Sequence, residues 1–525
     1  MKLLRTYWPF IFGLTGGIYF VTFNTIGASL VYLPGDLGDT RFNLYLLEHA
    51  HLFFTGQLDN YWNASFMYPE RNVISYSDNL LGTAPFYSVF RIIGCNRETS
   101  FQLWFILLVV LNYSACYFFL NYLFKNKYAA VLGAFVFAFS MSLQSQIGHA
   151  QTVPRFAIPL ALWAGLIYIR ELKPRYFFAC VLLLVYQIYC GIYLGFMLSV
   201  PIAILLFYSL FNQRSLYKIR IKDKSWIIRM IGAAAINIFF LLALMLPYFE
   251  RASETGFYSY EVIYQSVPTV KSFFFSCRGS YVWEFLNELA IDYVAFWDHQ
   301  IFAGFFANLC LLVFFTVVVA AVLKKQDVVF KIDATSFVLF IVSVLTFILF
   351  IRFRSYSFYW FMHLMPGFGS MRALQRIINI ELIFYAIAVA FVFKTVLKIE
   401  KNSSVFLFVI FLALVIADNY VLKDVQHKTQ KSIFQERLKA LELKLKNIPK
   451  NSIISYEPDS VPVKSYLVQL DAMLAAQSLG LRTLNGYSAT SPKSYDNYWR
   501  KPNEESREIW LKANGIQNKN IVVIR

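Results

Sequence analysis

The sequence predicts an α-helical polytopic membrane protein with a small C-terminal extracytoplasmic α/β domain. Three observations carry that expectation. Of 525 residues, 58% are hydrophobic and only 15% charged, with a mean hydropathy of +0.52, a balance foreign to soluble domains of this length. Apolar runs of membrane-crossing length recur along the chain. Lysine and arginine cluster in alternate connections between those runs. The net charge of +17 is thus a matter of loop placement, and no nucleic-acid partner is expected.

About eleven spans follow from run length, at residues 8–33, 101–124, 128–145, 154–170, 176–191, 194–211, 227–248, 301–323, 334–352, 376–394 and 404–422. No cleavable signal pattern precedes the first run, so it is expected to stay as an anchor. The basic groups are Lys2 and Arg5; Lys125 and Lys127; Arg170, Lys173 and Arg175; Arg214, Lys218, Arg220, Lys222 and Lys224; Lys324, Lys325 and Lys331; and Lys394, Lys398 and Lys401. All six fall on one side of the cytoplasmic (inner) membrane if the N-terminus is cytoplasmic and the C-terminus outside.

Four segments then share the outer side with the tail. They are the loop 31–99, the turn 144–151, the loop 250–300 with Glu254, Glu261, Glu284, Asp292 and Asp298, and the loop 352–376. The expected division is a transmembrane domain over 1–422 and a domain over 423–525. In the latter, Phe434, Leu438, Leu441 and Leu445 mark an amphipathic helix. Residues 452–456, 482–485 and 520–524 read as strands, with a helix at 471–479.

The first outer loop holds Leu33-Pro34-Gly35-Asp36-Leu37-Gly38-Asp39-Thr40. The glycines permit a sharp turn that can aim both carboxylates at one point. Residues 40–54 read as an amphipathic helix on the membrane surface with Asp39 as its N-cap, and a second surface helix is expected at about 79–93. Helix capping alone would account for such a loop. A carboxylate beside a hydroxyl can instead remove its proton as the oxygen attacks, and a second one can orient the acceptor or hold a divalent cation. The cofactor requirement stays open on this point.

Arg372, Gln375, Arg376 and Asn379 recur at i, i+3, i+4 and i+7, so they line one helix face over about 10 Å at the outer end of the tenth span. Two arginines one turn apart form a fork suited to phosphate oxygens; interfacial snorkelling is the competing account. His149 stands in the tight outer turn among Gln144, Gln146 and Gln151, where a solvated loop histidine is the plain alternative to a ligand. Tyr68-Pro69-Glu70 sets an aromatic ring beside polar groups, as sugars require, although a membrane aromatic belt uses the same residues. Of six scattered cysteines, Cys95 and Cys277 fall in outer loops, which leaves a disulfide open.

Taken together, Gly35-Asp36-Leu37-Gly38-Asp39, residues 66–71, Gly148-His149, Pro366-Gly367-Phe368 with Arg372-Ala373 and Arg376, residues 471–475 and Asn485-Gly486-Tyr487-Ser488 resemble the GT-C superfamily of polytopic glycosyltransferases. More narrowly, they resemble a poorly characterised bacterial branch of it. The resemblance implies a polyprenyl-phosphate-linked sugar donor, used on the outer membrane face, and a glycan, lipid or protein acceptor. It puts catalysis on Asp36 and Asp39, with Asp36 the general base of an inverting transfer. Donor phosphate would meet Arg372, Arg376 and His149, and substrate would meet Tyr68, Glu70, Gln151, Gln375 and Tyr487. The Asp-x-x-Asp spacing departs from the adjacent or once-separated acids of many members, which leaves the base and the metal requirement open. The alternatives are a non-catalytic glycolipid flippase or transporter, for which Glu381 inside a span is the best marker, and an envelope assembly factor.

Overall fold

The computed structural model describes residues 2–290, 293, 296–323, 333–396, 404–459, 464–516 and 520–525. Lys324, Lys325, Lys331, Lys398, Lys401 and Asp292, used above for orientation and charge, lie outside the described residues. Among the described residues eight helices are long and apolar enough to cross a membrane: Tyr7–Ile26, Arg97–Phe124, Lys127–Gln146, Ala150–Glu171, Ile192–Asn212, Lys224–Thr255, Phe305–Leu323 and Leu374–Thr395. Three shorter apolar helices, Pro174–Cys190, Ala334–Phe350 and Val405–Asn419, stand at the remaining expected positions. The chain is a multi-pass membrane protein by the length and composition of these helices.

Side-chain capping fixes several helix starts. Asn96 accepts from the Thr99 N–H, Asn126 from Tyr128 and Ala129, and Asp333 from Ser336, each satisfying donors a helix leaves free at its N-terminus. Burial sorts the bundle. The helices Leu374–Thr395 and Lys127–Gln146 are 89% and 83% buried and form its centre, whereas Lys224–Thr255 and Phe305–Leu323 are 17% and 22% buried and face outward. The central pair meets at Gly133, where a Cβ would stand 2.4 Å from the Ala386 carbonyl oxygen. Only a residue without a side chain allows that backbone approach.

The first span ends earlier than expected. Its helix stops at Ile26, and Tyr32–Pro34 forms a strand antiparallel to Lys428–Gln430. Leucine and tyrosine prolong the apolar run in sequence, but here they serve a strand that ties the first long loop to the start of the tail. The tail holds a three-stranded parallel sheet, Ile453–Tyr456 flanked by Arg482–Thr483 and Ile521–Ile524. The helices Lys431–Leu445 and Ser465–Leu479 pack on it through Leu441, Leu445, Ile454, Ala472 and Ala476. The first loop then extends this layer: Thr483 N–H donates to Ser65 O (2.8 Å), Tyr68 N–H to Thr483 O (3.0 Å) and Met67 N–H to Asn485 O (3.1 Å).

Two further expectations are corrected. The helix Asp39–Phe54 does not lie on the membrane with a free polar face, because every residue from Thr40 to His51 is buried. The tail covers it: fully buried Arg41 meets Asp471 at 2.5 Å, and Arg437 holds the other Asp471 oxygen. The second helix of the loop starts only at Ala84 and runs to Ile92. All six cysteines are free; Cys277 is buried with Met141, Phe302 and Val421, so Cys95 and Cys277 form no disulfide.

Candidate functional site

The site grows from the contact of two turns. Gly35 has φ +86°, and a Cβ there would lie 2.3 Å from Thr40 Oγ1 and 2.6 Å from the Gly148 Cα. The position therefore demands glycine for its conformation and for its space. The result is backbone against backbone: the first long loop is seated on the turn carrying His149. The tail clamps it, since Gly35 N–H donates to His427 O at 2.8 Å and Thr429 Oγ1 to Gly35 O at 3.0 Å. Asp36 folds over the turn, its Oδ1 accepting the Gly38 N–H at 2.9 Å, the pattern of an aspartate-stabilised turn. Its carboxylate and the Tyr466 ring both border Gly38.

Asp39 is not an N-cap. Gly38 occupies that place and makes no side-chain bond, while Asp39 is the first helical residue with its side chain turned away. Its Oδ2 lies 2.8 Å from His149 Nδ1, and its Oδ1 accepts the Tyr487 hydroxyl at 2.6 Å. Burial alone would raise the Asp39 carboxyl. His149, the Tyr487 hydroxyl and the Arg376 charge outweigh it and hold the group below its ordinary range. The Tyr487 phenol is pushed up by burial and by the charges of Asp39 and Asp36, so it stays a hydrogen-bond donor. Both acids are thus within electrostatic reach of one tail tyrosine.

The expected stripe splits. Leu374–Ile377 is 3-10 helix and the α-helix begins only at Ile378, so the α-helical spacing of residues 372–379 does not apply throughout. Arg372 precedes both, exposed, its guanidinium 5.9 Å from the Tyr258 ring. Gln375 Nε2 donates to Asp298 at 2.6 Å. Arg376 stands 4.7 Å over the Tyr193 ring, and its buried Nε has no partner among the described residues. Asn379 turns inward to Gln146 at 2.9 Å.

Three carboxylates feel the Arg376 charge: Asp39, Asp78 and Asp298. Burial raises Asp298 against the pull of Arg376, His149 and Arg372, and it raises Asp78 to about 6 against the Ile192 N–H and Arg376. Sequence reasoning missed Asp78, Tyr193 and Tyr466 and counted Asp298 only among loop acids. The polar run Trp297-Asp298-His299-Gln300 immediately before an apolar span was the available signal for Asp298.

The remaining expected residues lie apart or at the margin. Gln151 follows His149 in the turn, its carbonyl oxygen 2.6 Å from where a Gly191 Cβ would be and its Oε1 buried without a partner. The Tyr68 ring faces the Arg482 guanidinium at 4.9 Å, and its carbonyl accepts from Trp510 at 2.9 Å. Glu70 pairs with Arg251 at 3.0 Å beside Tyr76 and Glu254. Among the described residues no contact joins Tyr68 or Glu70 to Asp39. Glu70 borders a separate cavity of about 270 Å³ that reaches Lys493 and Asn514. Among the described residues no group of three His, Cys, Asp or Glu is placed to hold a metal; Asp39 and His149 would supply two ligands.

No protein family matches the chain, and no curated protein matches it. Among solved structures, the chain is similar to the oligosaccharyltransferase of Archaeoglobus fulgidus in its apo form. The TM-score is 0.50 and the identity 13%, over 98% of this chain and 70% of that one. The likeness is one of fold: the chain has a GT-C-like architecture.

Proposed function

We propose that the protein is a membrane glycosyltransferase that moves a sugar from a polyprenyl-phosphate donor to a glycan, lipid or protein acceptor on the outer face of the cytoplasmic membrane. One observation carries the reading. Asp39, His149, Arg376 and Tyr487, drawn from the first loop, the second outer turn, the tenth span and the tail, converge on one polar site. The fold shared with an oligosaccharyltransferase supports glycosyl transfer as the class of reaction.

In this reading Asp36 is the base. Its Oδ1 is engaged only by its own turn, whereas both oxygens of Asp39 are committed to His149 and Tyr487. Asp36 takes the proton of the acceptor hydroxyl as that oxygen attacks the anomeric carbon from the face opposite the phosphate. The transition state carries oxocarbenium-like charge. The lipid phosphate leaves toward Arg376, whose Nε lacks a partner, and toward exposed Arg372 and His149. Cationic donors placed where negative charge develops lower the barrier because they need no reorganisation. Asp39 orients His149 and, if a divalent cation takes part, shares it with that imidazole. The N-terminus is cytoplasmic and the tail extracytoplasmic.

The test is transfer by purified protein in proteoliposomes supplied with a panel of radiolabelled polyprenyl-phosphate sugars. Label should leave the lipid with at least one donor, to an added acceptor or slowly to water. Failure with every donor, by protein that retains its fold, would refute the reading.

A further inference from the structure

Beneath the candidate site lies a second feature that the transfer reading does not use. Arg155 is 3% exposed and stands within the apolar helix-bearing stretch Ala150–Glu171. Among the described residues no carboxylate comes within ion-pair distance of it. Its Nη1 donates to the Thr152 carbonyl at 3.0 Å and to Asn379 Oδ1 at 3.3 Å, and its Nη2 to the Phe137 carbonyl at 3.5 Å. Among the described residues its buried Nε has no partner, nor has the Nε2 of Gln146, itself 4% exposed. Both residues line a cavity of about 30 Å³ whose other polar walls are Thr22, Thr25, Gln144 and Thr152; the rest is apolar, and no acid borders it.

The position is rigidly built. The Arg155 N–H is held by Asn112 at 2.9 Å, Asn112 also holds the Val153 carbonyl, and Gln187 holds the Pro154 carbonyl at 2.8 Å. A guanidinium cannot shed its proton to escape a dry interior, and an unpaired buried charge is costly. Carbonyl oxygens satisfy hydrogen bonds without cancelling the charge. The two unused donors belong to residues that line one cavity, and the missing counter-charge is that of Arg155. A water needs about 10–15 Å³ of such space, so a monatomic ion has room here.

We propose that this cavity binds a monovalent halide, chloride in the cell, as the counter-ion of Arg155. The ion completes a network that runs from Arg155 through Asn379 to the Arg376 carbonyl and to Gln146, whose own carbonyl holds the His149 N–H. It thereby braces the two segments that carry His149 and Arg376. The inference is independent of the transfer reading.

The experiment measures melting temperature in detergent as chloride is exchanged for gluconate at constant ionic strength, together with bromide anomalous scattering from wild-type crystals. Gluconate is far bulkier than a halide. Chloride should raise the wild-type melting temperature by about 2 °C or more with saturation, and a bromide peak should appear beside Arg155 Nε. Arg155→Gln should abolish the chloride dependence, and Gln146→Met should shift its midpoint to higher chloride. If Arg155→Gln does not fold, the bromide map decides alone. A flat wild-type response or an empty bromide map would mean that water alone fills the cavity, and would overturn the proposal.

Discussion

The Tyr487 hydroxyl reaches Asp39 at 2.6 Å across 448 residues of sequence. The contact closes the site from the tail side and, with His149, helps hold the acid at its centre below its ordinary range. Tyr487→Phe removes that bond and nothing else of size. A hydrogen bond to a charged group contributes about 1.5–3 kcal/mol, so sugar transfer should fall about 10-fold or more while the melting temperature holds. Unchanged turnover in proteoliposomes would reduce Tyr487 to a packing residue.

Asp36→Asn keeps shape and the turn's hydrogen bond but cannot accept a proton at neutral pH. Turnover should fall at least about 100-fold, the low end for general-base catalysis, with expression and melting unchanged. Asp39→Asn should also lose activity, because the neutral amide cannot serve as the anionic partner of His149. Partial recovery at raised divalent cation would assign the pair to a cation. A folded Asp36→Asn protein with full activity would remove the base from the mechanism.

Arg376→Ala should weaken use of the lipid-phosphate donor by about 10–100-fold through loss of one charge-assisted bond, measured as donor concentration dependence. Arg376→Lys should recover only part of it, since an ammonium cannot stack on Tyr193 as a planar guanidinium does. Equal donor dependence in all three proteins would make the arginine structural.

Asp78 gives a pH signature of defined sign. Burial raises its folded pKa to about 6, above the ordinary 3.8. Its contribution to stability is therefore full below the unfolded pKa and is lost as pH rises through about 6. Asp78→Asn removes the cost of the buried charge while keeping an oxygen for the Ile192 N–H. The variant should gain stability relative to wild type at pH 8, and that advantage should shrink through pH 5 and vanish only below the unfolded pKa of 3.8, read as the difference in melting temperature. A pH-independent difference would count against a titrating Asp78.

The contacts of Asp39 with His149 and Tyr487 require their three segments to share one compartment. Reporter fusions should place His149 and residues 423–525 outside and Lys222 inside. A cytoplasmic tail reporter on functional protein would contradict the orientation.

Much of this was legible in local pattern. Run length and basic loops marked eleven apolar segments, eight of which proved long enough to cross a membrane. Turn chemistry marked Gly35 and Gly38, and alternation in the tail marked its sheet and helices. Such features are local: a period of 3.6 or 2, a cap or a turn is written within a few residues. What needed tertiary structure was every choice between local alternatives. By local pattern Asp39 caps its helix, and only the arrival of His149 and Tyr487 turns it into the site. The residues 372–379 formed an even stripe on an ideal helix, but a 3-10 turn sends Gln375 to Asp298 and Asn379 to Gln146. The amphipathic helix after Asp39 looked fit for a membrane surface until Asp471 covered Arg41. Apolar patterning says which face must be buried, and it says nothing about a polar face that distant charges come to claim.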